Sequence, residues 1–560
     1  MIILTSGSFK AISLLLAGFF AATVAASSAP LAHVRNGTYA GYHLPSFNQD
    51  AFVGIPYVQP PVGELRFERS QPLNQTWEGA RNATNYKYSC YWANGNNSYG
   101  DNLGLPVSED CLTMNIVRPN LESKEKLPVL VWIPGGGFLW GAAQRDVYNL
   151  SYPVNQSVEG GTPVVGVSFN YRINGFGFLA SKEVKDKGSL NNGLTDQRHA
   201  IKWIKENIEA FGGDPNKITI WGQSAGAKSV ALQMTSYGGE GEQLFEQGIL
   251  ESGSPSSNTF HSMKENQKFY DSLAKHFSCA NASDSLACLK KVPGEKLLKY
   301  FNTSTIFGPV IDGDFIPDYP RNLVDQGKYH KVPVIVGTDM DEGTTFGYGN
   351  VNTTDELRDK MKKKFPHMTN ATLKQLLEYY PDDPSKGSPY GTGGQFSNSS
   401  YGLLYKRGNA IGGDISIIGP KRRLALDMSK RGIDTYTYNW NQSEYGTDPS
   451  KGTTHFDDVI YIFANPNWNN QSKTPPIGPD PTGNKTKLMH LASRFFMSFA
   501  ATGDPNNAKV GFEHEKWPKY GENHKNYYFS SNGSYVEPDD YRKELIDFIN
   551  YNCSTQFVAL

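Results

Sequence analysis

The chain has 560 residues, with 54 basic against 55 acidic side chains and a formal net charge of −1. Balanced charge without a long run of either sign gives no footprint for a nucleic acid or an anionic membrane surface as partner. The length allows several domains, though large α/β enzymes keep such a length around one sheet.

Residues 1–26 read as a secretory signal. Lys10 supplies the positive charge, residues 11–26 form an apolar core, and Ala25-Ala26-Ser27-Ser28-Ala29 suits a signal peptidase. That core is short for a membrane span of about 20 residues, and no later segment is apolar enough to cross a bilayer. The expectation is a secreted protein with residues 27–560 as one domain. About sixteen Asn-x-Ser/Thr sequons, among them Asn36, Asn74, Asn82, Asn149, Asn281, Asn352, Asn441 and Asn484, fit a glycoprotein. Five cysteines in an oxidising compartment suggest disulfides. Cys90 with Cys111 and Cys279 with Cys288 would close short loops and leave Cys553 over, but spacing alone does not choose among pairings.

Strand-like runs recur at 127–133, 163–171, 217–221, 247–250, 332–337 and 435–440. Several are continuous apolar runs, as expected of strands buried on both faces of a mainly parallel sheet. Between them, Leu194, Ile201, Ile204, Ile208 and Phe211 recur at helical steps and predict an amphipathic crossover helix over 194–211. Alternating strands and helices make this an α/β chain. Residues 350–430 are polar and broken by Gly and Pro, with a helical patch at 372–380, and read as an insertion over the sheet. Residues 465–484 read as a surface loop.

Chemistry gathers at strand ends. Gly222-Gln223-Ser224-Ala225-Gly226 stands between a β-branched run and a run of helix formers. A Gly-x-Ser-x-Gly between strand and helix is a nucleophile elbow, a tight turn that lifts the serine hydroxyl clear of the sheet. A serine near its normal pKa needs a base, an orienting carboxylate and donors for an oxyanion. Ile133-Pro134-Gly135-Gly136-Gly137-Phe138 follows the first strand of that set and exposes backbone N–H groups. It is not a phosphate loop, because no Gly-Lys-Ser/Thr follows. Past the strand at 332–337 lie Asp339, Asp341 and Glu342, equal candidates for the acid by position. His455 lies downstream in the order such hydrolases use, and so do His490, His514 and His524.

Phe211-Gly212-Gly213-Asp214-Pro215 through the elbow resembles the serine signature of the type-B carboxylesterases, the family of cholinesterases and fungal lipases. Ser108-Glu109-Asp110-Cys111-Leu112-Thr113-Met114-Asn115 resembles its second signature, and residues 50–67 its N-terminal block. The resemblance implies an α/β-hydrolase fold: a large, mainly parallel sheet with helices on both faces and insertions over the active site. It makes Ser224 the nucleophile, Glu342 the acid and His455 the base, with the N–H groups of Gly136, Gly137 and Ala225 as the oxyanion hole. It places Gln223 and Ser252 around the triad, pairs Cys90 with Cys111 and Cys279 with Cys288, and implies an Arg66–Glu109 ion pair. No metal or cofactor is implied, and the partner is a small-molecule ester.

The departures narrow the substrate. Gln223 stands where many relatives carry Glu. Asp101 and Thr345 stand where cholinesterases carry the aromatics that hold choline by cation–π contact. Thr303 and Thr305 fall where cholinesterases carry bulky acyl-pocket aromatics. The loop between Cys90 and Cys111 has twenty residues, rich in Asn and Gly, and offers little apolar surface for an oil interface. The expectation is a serine carboxylesterase acting on soluble or small esters, with a lipase or sterol esterase as alternative and a catalytically silent adhesion protein as a remote one.

Overall fold

The computed structural model describes residues 29–92, 106–122, 125–257, 260–466, 475–521 and 523–557. The signal reading for 1–26, Asp101 and part of the 465–484 loop lie outside the described residues.

One 11-stranded sheet organises the chain. In chain order its strands are β1 (Tyr42–Leu44), β2 (Gln49–Pro56), β3 (Thr113–Pro119), β4 (Leu127–Ile133), β5 (Val165–Phe169), β6 (Gly213–Gln223), β7 (Gln247–Glu251), β8 (Val334–Asp339), β9 (Thr435–Trp440), β10 (Lys525–Phe529) and β11 (Tyr535–Pro538). Across the sheet they run β11-β10-β9-β8-β7-β6-β4-β5-β3-β2-β1. Neighbours from β5 to β10 pair in parallel, and β1, β2, β3 and β11 add antiparallel edges. A separate three-stranded sheet pairs Gly37–Ala40 with Leu31–Val34 and Ala80–Asn82.

Alternation along the strands explains the continuous apolar runs. Val129, Val131 and Ile133 of β4 enter one core layer, whereas Leu130 and Trp132 enter the other. Helices α2 (Asn192–Asn207), α3 (Ala225–Thr235) and α6 (Gly419–Lys430) cover the first face through residues such as Ile201, Val230 and Leu424. Helices α1 (Ser151–Glu159) and α7 (Asn484–Thr502) cover the second through Val154, Leu491 and Phe495. Trp132, Trp221 and Phe463 form its aromatic centre, with ring centroids 4.5–4.8 Å apart. Removing one such side chain from water is worth about 2–3 kcal/mol.

The strands match the predicted runs within a few residues, and the crossover helix ends as a 3₁₀ turn, Ile208–Phe211. The Gly-rich part of 350–430 is not broken loop throughout. Helix α5 (Tyr405–Gly413) continues through a π turn, Asp414–Ile418, into α6. Its glycines serve close approach. A Cβ on Gly412 would lie 2.5 Å from Gly347 Cα, and one on Gly413 2.7 Å from Gly343 N. α6 joins the core of the sheet, whereas Leu357 and Met361 of α4 (Thr354–Lys364), together with Leu373 and Leu376, build a smaller cluster of their own with Leu545 and Ile546.

The sheet order also fixes where chemistry can sit. The chain passes from β4 outward to β5, then returns to lay β6 on β4's other side. Such a reversal opens a crevice at the carboxyl ends of the strands. The glycine loop after β4 and the elbow after β6 both open there.

Candidate active site

Ser224 joins β6 to α3 with φ 57° and ψ −121°, a strained conformation for a residue with a side chain. Its flanking glycines make the turn possible. A Cβ on Gly222 would lie 2.4 Å from the Gly226 carbonyl carbon, and one on Gly226 would lie 2.1 Å from the Ile133 carbonyl oxygen. The Ser224 N–H donates to the Glu251 carbonyl at 2.8 Å, which ties the turn to the end of β7.

Of the three acidic candidates after β8, Glu342 meets an imidazole. His455 Nδ1 lies 2.7 Å from Glu342 Oε2, with both side chains at most 3% exposed. Asp341 is committed elsewhere, accepting from the Ser388 hydroxyl and the N–H groups of Tyr390 and Thr453. Asp339 accepts from the Phe456 N–H, and its own N–H donates to Glu342 Oε1 at 3.1 Å. Among the other histidines, His514 donates to the Phe512 carbonyl and His524 stacks on Tyr520. His490 lies on α7.

On its far side His455 Nε2 lies 3.2 Å from Gln223 Nε2. An amide N–H pointing at Nε2 requires a lone pair there, so the ring proton sits on Nδ1, against Glu342. Gln223 immediately precedes Ser224, and the Ser224 hydroxyl itself makes no hydrogen bond among the described residues. Phe346 packs edge-on against the His455 ring at 4.8 Å.

Glu251, Asp339 and Asp458 lie beneath this pair and are fully buried. Trp221 Nε1 donates to Glu251 and the Tyr438 hydroxyl to Asp458, yet among the described residues Glu251 Oε2, Asp339 Oδ1 and Asp458 Oδ1 have no hydrogen-bond partner. Burial, then the charge of Asp458, pushes Glu251 well above the carboxylate range. Burial, then Asp458 and Glu342, does the same to Asp339. Asp458 is pushed up to about 7, first by burial and then by the charge of Glu342. Burial of this kind favours the protonated form of each carboxyl. Asp339, Glu342 and His455 are also the only trio among the described residues whose ligand-type atoms lie within 4.8 Å of one another. A metal there would have to displace the Glu342–His455 hydrogen bond.

Gly136 and Gly137 have φ of 114° and 62°. A Cβ on Gly136 would lie 2.1 Å from the Trp140 carbonyl oxygen, so only glycine fits. Among the described residues the N–H groups of Gly136, Gly137 and Ala225 make no hydrogen bond, and Ala225 opens α3, where N–H groups have no intrahelical partner. Three unspent donors therefore sit where β4 and β6 end.

The remaining predicted residues are placed as follows. Ser252 is fully buried at φ 55°, and its hydroxyl has no hydrogen-bond partner among the described residues. Cys90–Cys111 and Cys279–Cys288 are bonded at 2.03 and 1.98 Å. Arg66 grips Glu109 with two hydrogen bonds of 2.6 Å. Cys553 is free and buried, and burial pushes its thiol up to about 12. Thr303 and Thr305 are exposed, and Thr345 meets the Thr454 hydroxyl. Sequence reasoning missed Phe346, which carries no motif of its own and is found only by its packing on His455.

A model of the carboxylesterase family matches residues 28–548. "Lipase 5" of Diutina rugosa is 35% identical over 88% of this chain and 90% of its own length. "Secreted triacylglycerol lipase LIP1" of Gibberella zeae is 33% identical over 94% and 90%. Among solved structures, Aspergillus niger EstA is similar at a TM-score of 0.79 and 28% identity, over 95% of this chain and 99% of EstA.

Proposed function

Because the chain belongs to the carboxylesterase family and is a carboxylic ester hydrolase, we propose that it is a secreted serine esterase working through an acyl-enzyme, with Ser224, Glu342 and His455 as its triad. The observation that carries this reading is the buried 2.7 Å contact of Glu342 with His455 beside the elbow. His455 Nε2 takes the Ser224 proton as the oxygen attacks the ester carbonyl, while Glu342 holds the Nδ1 proton and the imidazolium that forms. The N–H groups of Gly136, Gly137 and Ala225 receive the oxyanion. His455 then passes its proton to the leaving alcohol, and water repeats the sequence to free the acid and Ser224.

Ser224→Ala should lower turnover of p-nitrophenyl butyrate by about 10³-fold or more in a folded, secreted protein. Turnover near that of the unmodified protein would remove Ser224 from the mechanism.

A second reading, a lipase, is favoured by the names of the relatives from Diutina rugosa and Gibberella zeae. We favour soluble esters, on the short polar segment between Cys90 and Cys111. Rates across acyl lengths, below and above the solubility limit, separate the two. A steep rise at the emulsion interface would select the lipase.

A further inference from the structure

A cavity of about 230 Å³ adjoins the candidate active site, and its charge is one-sided. Lys228, Arg321, Lys364 and Arg423 line it, and no acidic residue does. Its position is fixed at two points. Lys228 lies one helical turn past Ser224, its N–H donating to the Ser224 carbonyl at 2.9 Å. Phe346, which also lines the cavity, is the ring packed on His455.

The cations are unequally satisfied. Asp325 pairs with Arg423, which also donates to the Asn550 carbonyl. Lys364 donates to the Phe346 carbonyl. Among the described residues Arg321 hydrogen-bonds only to Asn322, at 3.4 Å. The Lys228 ammonium has neither a hydrogen bond nor an ion pair among the described residues. Burial, then the Lys364 charge, pulls it down to about 8, with Glu342 opposing. Asp318, Asp325 and Glu342 are the acids that act on these cations, and none lines the cavity. A desolvated cation without a partner is costly, and a carboxylate seated against it removes that cost.

We propose that this cavity receives an ionised carboxylate carried by the substrate, so that the preferred substrates are esters bearing a second, free acid group. The inference rests on the esterase reading above and adds its substrate class. A neutral aliphatic chain would meet Phe346, Phe260 and Ile417 there but would leave Lys228 and Arg321 without a counter-charge in the cavity. A carboxylate uses both parts of the lining, methylene stem on the apolar wall and charge on Lys228. The acid group can lie on either side of the ester bond.

The test compares matched pairs by pH-stat at pH 7: ethyl hydrogen adipate with ethyl hexanoate for an acyl-side acid, and 6-acetoxyhexanoate with hexyl acetate for an alcohol-side acid. In one pair or the other, kcat/KM for the anion should exceed that of its neutral partner by about tenfold. The excess should shrink in 1 M salt and be lost in Lys228→Met but kept in Lys228→Arg. If Lys228→Met does not fold, Lys364→Met reads the same ratio. Ratios at or below one in both pairs, or a ratio indifferent to every lysine variant, would overturn the inference. Inert neutral esters together with inert anionic ones would instead overturn the esterase reading, and this inference with it.

Discussion

The two halves of the candidate site are built in different ways. The elbow, the glycine loop, Glu342 and His455 follow the ends of β6, β4, β8 and β9 in one sheet, so backbone geometry sets their positions. The cavity beside them is assembled from side chains of α3, the segment after β7, residues 319–321, Phe346, residues 364–365 and 415–423, and the chain's last described turns. The first half is fixed by one sheet, the second by the meeting of distant segments. Reaction type therefore resides in local turns and strand order, and substrate choice in tertiary packing.

The largest effect should come from breaking the strand-held half. Glu342→Gln keeps the shape but replaces the charged acceptor that holds the Nδ1 proton with a neutral amide, which can turn its NH2 to the ring instead. The kcat should drop about 10⁴-fold while KM changes little, as measured by burst and steady-state kinetics on p-nitrophenyl butyrate. Loss of binding with unchanged kcat would place Glu342 outside the chemistry.

The assembled half should answer more mildly. Phe346→Ala removes the ring between His455 and the cavity. We expect kcat/KM on small neutral esters to fall about tenfold and bulkier acyl groups to gain relative to them, since one apolar contact is worth about 1–3 kcal/mol in discrimination. An unchanged acyl profile would show that the cavity and the reacting centre are not coupled.

The smallest effect probes the carboxyl layer beneath the Glu342–His455 pair. Asp458 keeps its proton to about pH 7 when folded and loses it near 4 when unfolded. Over that window the folded state binds the extra proton, so its contribution makes the protein less stable as pH rises from about 4 to 7, and flat above. Asp458→Asn, which still accepts from the Tyr438 hydroxyl, should flatten that decline in denaturant melts and raise stability at pH 8. A pH profile parallel to the unmodified protein would mean that Asp458 does not hold the proton.

Legibility follows the same division. The β-branched run, the two glycines and the helix formers around Ser224 announce a turn because each residue contributes to local backbone energetics. The glycine loop after β4 is readable for the same reason. The choice of Glu342 over Asp339 and Asp341 was not readable from spacing. It depends on Ser388, Tyr390 and Thr453 occupying Asp341 and on the Phe456 N–H occupying Asp339, contacts made across more than 40 residues of chain. Resemblance to a family supplied it. Gly412 and Gly413 mislead for a related reason, since glycine signals a break locally but here permits α5 to touch the segment after Glu342. Lys228 falls in the run of helix formers after the elbow with no local mark of a site, and the packing of residues 364–365 and 415–423 beside it gives it a cavity to face.

The central claim, that Ser224 is the nucleophile held by this architecture, is tested most directly by active-site labelling. The purified protein is treated with a fluorophosphonate, digested, and the adduct mapped by mass spectrometry. The account predicts one stoichiometric adduct, on the peptide containing Ser224, with activity lost in proportion to labelling. An adduct on any other serine, or full inactivation with Ser224 unlabelled, would contradict it.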